Sequence, residues 1–303
     1  MGYIYEKMSW RGQEAIEITG YEGSLSDMTI PDAVEGLPVR SIAAHAFSDR
    51  DELRSVRLGR NVKVLRPFSF YNCKGLQSME LYNTADDYYD GVIRQCPALE
   101  EITVHVTEEE NYIILRSMLQ DVDSMLSFHL MYGDDSSKEL YLTFPEYVNE
   151  AREDTMARAI HFSIEGAGMA YRECVGKRQL DLSGYDRLLE RLTRDDDAAA
   201  AKIAFGRLLY PSGLSESARK EYEDFLRDNS GRIVELLIQK DAARSQTAPL
   251  RLMTDRNLID RAALEKGMIL AAKKGRIELG GILMEHRSRQ QENTAVPGLQ
   301  LEW

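Results

Sequence analysis

Apolar residues return every 23 positions between Ser41 and Val104. Ile42, Leu65 and Tyr88 share one register, and Phe47, Phe70 and Ile93 share the next. Leu53, Leu76 and Leu99 follow, then Val56, Met79 and Ile102, then Leu58, Leu81 and Val104. In a chain of 43% hydrophobic residues, five apolar registers holding over three turns are not a chance pattern. A fixed period of this length marks units that stack as coils. The last two apolar positions of each unit are two apart, which puts them on one face of a short strand. Gly59-Arg60-Asn61 breaks the chain after the first strand and Asn83-Thr84 after the second. One coil offers about five inward residues, each stabilising by roughly 1.5–3 kcal/mol when buried. Ordering its backbone costs roughly 1–2 kcal/mol per residue. A coil therefore needs neighbours, and the stack needs caps.

On either side of the repeat the pattern changes. Residues 3–7 and 14–19 alternate around Trp10-Arg11-Gly12 and predict a β-hairpin placed to cap the first coil. A short strand over 28–30 turns Met28 and Ile30 inward. Beyond Val104 the 23-step register puts Arg116 where an aromatic is wanted. A shift of three restores Ile114, Leu119, Met125, Phe128 and Leu130, a degenerate last coil. Strands Ser127–Tyr132 and Glu139–Phe144 flank the turn-rich Gly133-Asp134-Asp135-Ser136-Ser137 as a closing hairpin. From Pro145 the spacing becomes helical, with Tyr185, Leu188, Leu189 and Leu192 at i, i+3, i+4, i+7. Ile203, Leu208 and Leu209 continue it, then Tyr222, Phe225 and Leu226, then Ile233, Leu236 and Leu237. The expected fold is α+β: a short β-solenoid over 1–145, an all-helical, helical-repeat-like domain over 146–290, and a mobile tail over 291–303.

Ile30-Pro31, Gly36-Leu37-Pro38-Val39, Ile42, Ala46-Phe47, Leu53, Val56 and Leu58 resemble the bacterial BspA-like leucine-rich repeat over about residues 25–104. Phe70-Tyr71-Asn72-Cys73 matches the same motif, with Ser69 in place of its alanine. Arg50 stands where the first unit should carry a cysteine, and the third unit enters through Asp86-Asp87 without the aromatic. The resemblance implies a stacked strand face that often binds protein. Here its outward positions are Ser55 and Arg57, Ser78 and Glu80, and Glu101 and Thr103, in two columns. The plainer reading of those columns is a solvated face. Ile269 to His286 resembles the helix–turn–helix of an ankyrin repeat, and Gly231 to Leu237 resembles a partial second copy 44 residues earlier.

Charge and candidate chemistry narrow the function. Residues 1–148 carry 13 Lys+Arg against 25 Asp+Glu, so 13 − 25 places the whole net charge of −12 there. Nucleic-acid binding draws on Lys and Arg, and neither half has an excess of them. Met1 to Trp10 has neither a basic nor an apolar leader pattern, and no apolar run is long enough for a membrane span. Cys73 and Cys96 share a register in adjacent coils. A disulfide is sterically open to them, but small buried thiols fit the repeat better. Cys174 has no histidine near it in sequence, and His45, His105, His129, His161 and His286 lack metal-ligand spacing. Asp195-Asp196-Asp197 reads as a helix start, with Thr193 and Asp196 as a capping pair. Gly166-Ala167-Gly168 reads as a structural connection in preference to a phosphate cradle. The expectation is a cytoplasmic, non-catalytic interaction or scaffold protein with an unidentified protein partner, no cofactor and no metal. The alternatives are a ligand-binding or enzymatic module in the helical part, or a surface adhesin relative.

Overall fold

The computed structural model describes residues 2–133, 138–154, 159–193, 196–240 and 246–294. They form two compact units, Met1–Asp195 with Tyr210–Gly213, and Asp196–Leu209 with Leu214–Trp303.

The first unit opens with the expected hairpin, β1 (Tyr3–Trp10) and β2 (Gln13–Tyr21), turning through Arg11 and Gly12 at φ 51° and 81°. β3 (Asp27–Thr29), β4 (Ala33–Val34) and β5 (Leu37–Ile42) build the first coil. The tight turn between β4 and β5 uses Glu35 and Gly36 at φ 52° and 79°. β6 (Ser55–Arg57) and β7 (Val64–Leu65), then β8 (Ser78–Tyr82) and β9 (Asp87–Tyr88), then β10 (Glu101–His105) continue the stack. Two sheets result. One runs β1-β2-β5-β7-β9, with β4 beside β5. In it Ile42 pairs with Leu65 and Leu65 with Tyr88, the first sequence register. In the other, Val56 pairs with Met79 and Met79 with Ile102, the fourth register. Every residue of the five registers is buried except Tyr88, which is half-buried. Phe47 and Phe70 stack with centroids 5.2 Å apart at 17°.

The repeat also imposes left-handed backbone at two positions per coil. His45, Phe68 and Gly91 have φ of 57°, 59° and 73°, and Asp49, Asn72 and Gln95 have 57–62°. Side chains other than glycine occupy five of these six positions although the conformation is sparsely populated, so stacking over-determines it. At Gly91 a Cβ would lie 2.3 Å from the Phe68 ring.

After β10 the chain makes α1 (Ile113–Asp121) in place of a fourth coil's irregular stretch. β11 (Leu126–Met131) then returns to the sheet, pairing Ile102 with Phe128 and Val104 with Leu130, the shift of three. Of the degenerate-coil residues, Ile114, Leu119, Phe128 and Leu130 are buried, while Met125 is half-buried and Leu126 fills the core beside it. β12 (Leu140–Phe144) pairs antiparallel with β11 as the closing hairpin and completes the order β12-β11-β10-β8-β6-β3. Asp134 to Ser137 of its expected loop lie outside the described residues.

The helical pattern does not begin at Pro145. β13 (Val148–Asp154) and β14 (Ala159–Glu165) form a two-stranded hairpin, in keeping with the alternation of Ile160, Phe162 and Ile164. α2 (Gly168–Glu173), α3 (Leu182–Arg187) and α4 (Leu189–Leu192) follow and belong to the first compact unit. The units thus divide at Asp195, later than the boundary expected at 145. The reason is a set of polar anchors. The Tyr185 hydroxyl donates to Thr143 O (2.6 Å) and accepts from Thr143 N (2.9 Å), closing the free edge of β12. The Arg172 guanidinium donates to the carbonyls of Leu119, Val122, Asp123 and Ser124 around the end of α1, and to Pro145 and Gly168. Burial pushes Arg172 down to about 10.

The second unit holds α5 (Asp197–Leu209), α6 (Glu216–Asp228), α7 (Ser230–Gln239), α8 (Thr247–Asp255), α9 (Arg261–Lys273) and α10 (Ile277–Thr294). The Asp196 carboxylate accepts from the N–H groups of Ala198 and Ala199, so this acid caps α5 without Thr193 as its pair. Thr193 instead sits at the C-terminal end of α4. A Cβ on Gly267 would meet Val234 Cγ1 at 2.6 Å and Leu283 Cδ1 at 3.1 Å, so glycine permits the close approach of α7, α9 and α10 there. Residues 291–294, expected in the tail, continue α10, and 295–303 lie outside the described residues. Among the described residues, no helix is long and apolar enough to cross a membrane.

Candidate protein-binding face

The outward side of the sheet β12-β11-β10-β8-β6-β3 is built by strand alternation. With Val56 and Leu58, Met79 and Leu81, and Ile102 and Val104 buried, the intervening residues must face the other way. Pairing puts Ser55, Ser78, Glu101 and Ser127 in one column and Arg57, Glu80, Thr103 and His129 in the next. All six predicted site residues therefore share the expected two columns. A third column, Tyr82, His105 and Met131, lies one alternation further on. Tyr82 and His105 keep the 23-step spacing, and Met131 follows after the shift of three.

These side chains hold one another. Glu80 accepts from Arg57 Nε at 2.9 Å through one oxygen and meets His105 Nε2 at 2.8 Å through the other. Tyr82 stacks on His105 with centroids 4.9 Å apart. Glu101 accepts from the Tyr141 hydroxyl at 2.8 Å. His129 Nε2 lies 2.9 Å from Glu139 and its ring 4.9 Å from Tyr210, which stacks with Tyr141 at 6.0 Å. Burial, then Glu139 and Glu101, raise the Tyr210 phenol. At the N-terminal end Ser55 donates to Asp27 at 2.5 Å. At the other end Ser127 and Thr143 are fully buried and share a 2.9 Å hydrogen bond. No sequence spacing could have brought in Tyr210.

The remaining candidates have structural roles. Cys73 donates to Phe47 O at 3.0 Å and Cys96 to Phe70 O at 3.1 Å, each reaching back one coil as a free thiol. The hydrogen bond to Cys73 and burial push Cys96 up. Cys174 is pushed up to about 11 by burial, the wrong direction for a nucleophile. Gly166 to Gly168 forms no anion cradle, since a Cβ on Gly168 would meet the carbonyl oxygens of Pro145 at 2.2 Å and Glu146 at 2.6 Å. His45 stacks on Phe68, and His286 is buried on α10 beside Gln290. The side chain of His161 lies outside the described residues. Among the described residues, no group of three or more His, Cys, Asp or Glu could hold a metal ion.

The family model described as a BspA type leucine rich repeat region matches residues 20–130 in six copies. A leucine rich repeat protein of T. pallidum is similar at 22% identity over 36% of this chain and 54% of its own, with a TM-score of 0.31. A leucine rich cell surface protein from Faecalibacterium prausnitzii A2-165 is similar at 22% identity over 35% of this chain and 33% of its own, with a TM-score of 0.28. The chain thus spans about half the length of the first and a third of the second. No curated protein matches the chain. Residues 20–130, with their 23-residue registers stacked as a β-solenoid of about five turns, are a BspA-type leucine-rich-repeat region.

Proposed function

We propose that this is a non-catalytic interaction protein whose binding surface is the outward face of β6, β8, β10 and β11. Leucine-rich-repeat proteins generally mediate protein–protein interaction or surface adhesion. The observation that carries the reading is the mutual bracing of Arg57, Glu80 and His105, and of Glu101 with Tyr141. A braced side chain has little rotamer freedom left to lose on association, a cost otherwise of about 0.5–1.5 kcal/mol per residue. The helical unit supplies a second, helical-repeat surface in the same reading. We also place the protein in a reducing compartment such as the cytoplasm, on the strength of the thiols of Cys73 and Cys96 acting as hydrogen-bond donors.

The test is site-specific photocrosslinking. A photoreactive residue at Thr103 should capture a partner in cells, whether or not one at Glu265, exposed on α9, captures another. Capture at Glu265 alone would move the interface to the helical unit.

A further inference from the structure

The outward face combines carboxylates and aromatic rings in one area. Glu80 and Glu101 stand on adjacent strands in neighbouring columns, and Glu139 lies beside His129 at the next strand. Strands lie about 4.8 Å apart and alternate residues of one strand about 7 Å apart. Glu101 aligns through Ser127 with Thr143, four residues from Glu139, so these two acids stand about 17 Å apart along the backbone, the reach of about five residues of an extended peptide. Tyr82, Tyr141 and Tyr210 lie among them through His105, Glu101 and His129. Carboxylates bordered by phenol rings suit ammonium and guanidinium groups, which gain from the charge and from the ring face. The first 148 residues carry the whole net charge of −12, so the long-range field has the same sign.

We propose that this face docks an extended, lysine- or arginine-bearing segment of a partner protein, with Glu101 and Glu139 as its main anchors. The proposal rests on the reading of the face as the binding surface. Arg57 borders the acidic area on β6, its guanidinium committed to Glu80, and sets the end of the cationic track. The incoming cations engage Glu101 and Glu139, whose present partners are a hydroxyl and an imidazole, while the Glu80–Arg57 pair stays closed. Because the attraction is between partly exposed charges, it should fall steeply with salt.

The experiment measures anisotropy of a fluorescent decalysine peptide titrated with the full chain at low ionic strength. Glu101→Gln with Glu139→Gln should weaken binding about tenfold while keeping the melting temperature, since glutamine still accepts from Tyr141 and still meets His129. Glu6→Gln with Glu14→Gln removes the same charge from the exposed hairpin of the other sheet and should change affinity less than twofold. Equal loss in both double variants would reduce the attraction to net charge and overturn the proposal, as would failure of decalysine to bind. Competition separates this failure from that of the underlying reading. If the Thr103 crosslinker captures a partner that decalysine does not displace, the face binds protein and the cationic chemistry is wrong. If it captures none and decalysine still discriminates the two variants, the chemistry holds without the native partner.

Discussion

At the scale of single residues, the inward registers carry stability and their neighbours do not. Leu76 is fully buried and Gln77 is exposed. Leu76→Asp buries an unpaired carboxylate and should cost about 4 kcal/mol or more. Gln77→Asp should stay within about 0.5 kcal/mol. Urea midpoints check both, and equal losses would break the register assignment. Ser55, a spacer by position, makes a poor control because it donates to Asp27, so a carboxylate there would face another. The cysteines make a second prediction. Cys73, Cys96 and Cys174 should all alkylate on unfolding without reductant, read by mass. Alkylation only after reduction would contradict the thiol geometry. Cys174 also fixes a pH effect. Its thiol is raised from an ordinary 9 to about 11, so folding favours the protonated form. Between those values the unfolded chain binds fewer protons, and stability should fall as pH rises from 9 toward 11. Cys174→Ser should flatten the fall near pH 9–10.

At the scale of elements, the ends of the stack explain the burial of Asp121 and the departure at Arg50. In the ladder between coils, Phe47 N–H donates to Ser69 O and Phe70 N–H to Val92 O. Beyond the third coil, α1 stands where the next irregular stretch would supply carbonyls. The Asp121 carboxylate at the end of α1 replaces them, accepting from Gly91 N–H at 2.9 Å and Ile93 N–H at 3.1 Å. It also accepts from the Tyr88 hydroxyl at 2.6 Å. At the opposite end Arg50, standing where cysteine is expected, donates to Tyr21 O and Gly23 O at 2.6 Å each. Its reach suits a first coil that has only the hairpin behind it. Asp121→Ala leaves two buried N–H groups unpaired at roughly 1–3 kcal/mol each. It should lower stability by about 3 kcal/mol and speed amide exchange at Gly91 and Ile93 before Phe70. Exchange that rises evenly across the coils would deny Asp121 its capping role.

At the scale of the whole molecule, the question is where the repeat unit ends. Tyr185 lies beyond the expected boundary, yet its hydroxyl saturates both backbone groups of Thr143. Tyr185→Phe should cost about 2 kcal/mol and loosen β12, seen as faster exchange at Thr143. A change confined to the helices would return the boundary toward Pro145. The coils, their 23-residue period, the inward registers, the three-residue slip before Phe128 and the two outward columns all follow from the order of residues. They are consequences of local periodicity, and strand alternation turns period 2 into a face without further information. The stop of the ladder at Asp121, the carbonyl cluster around Arg172, the closure of β12 by Tyr185 and the arrival of Tyr210 beside His129 do not. Each joins residues tens of positions apart through one side chain, and no spacing rule marks such a pair before the chain has folded.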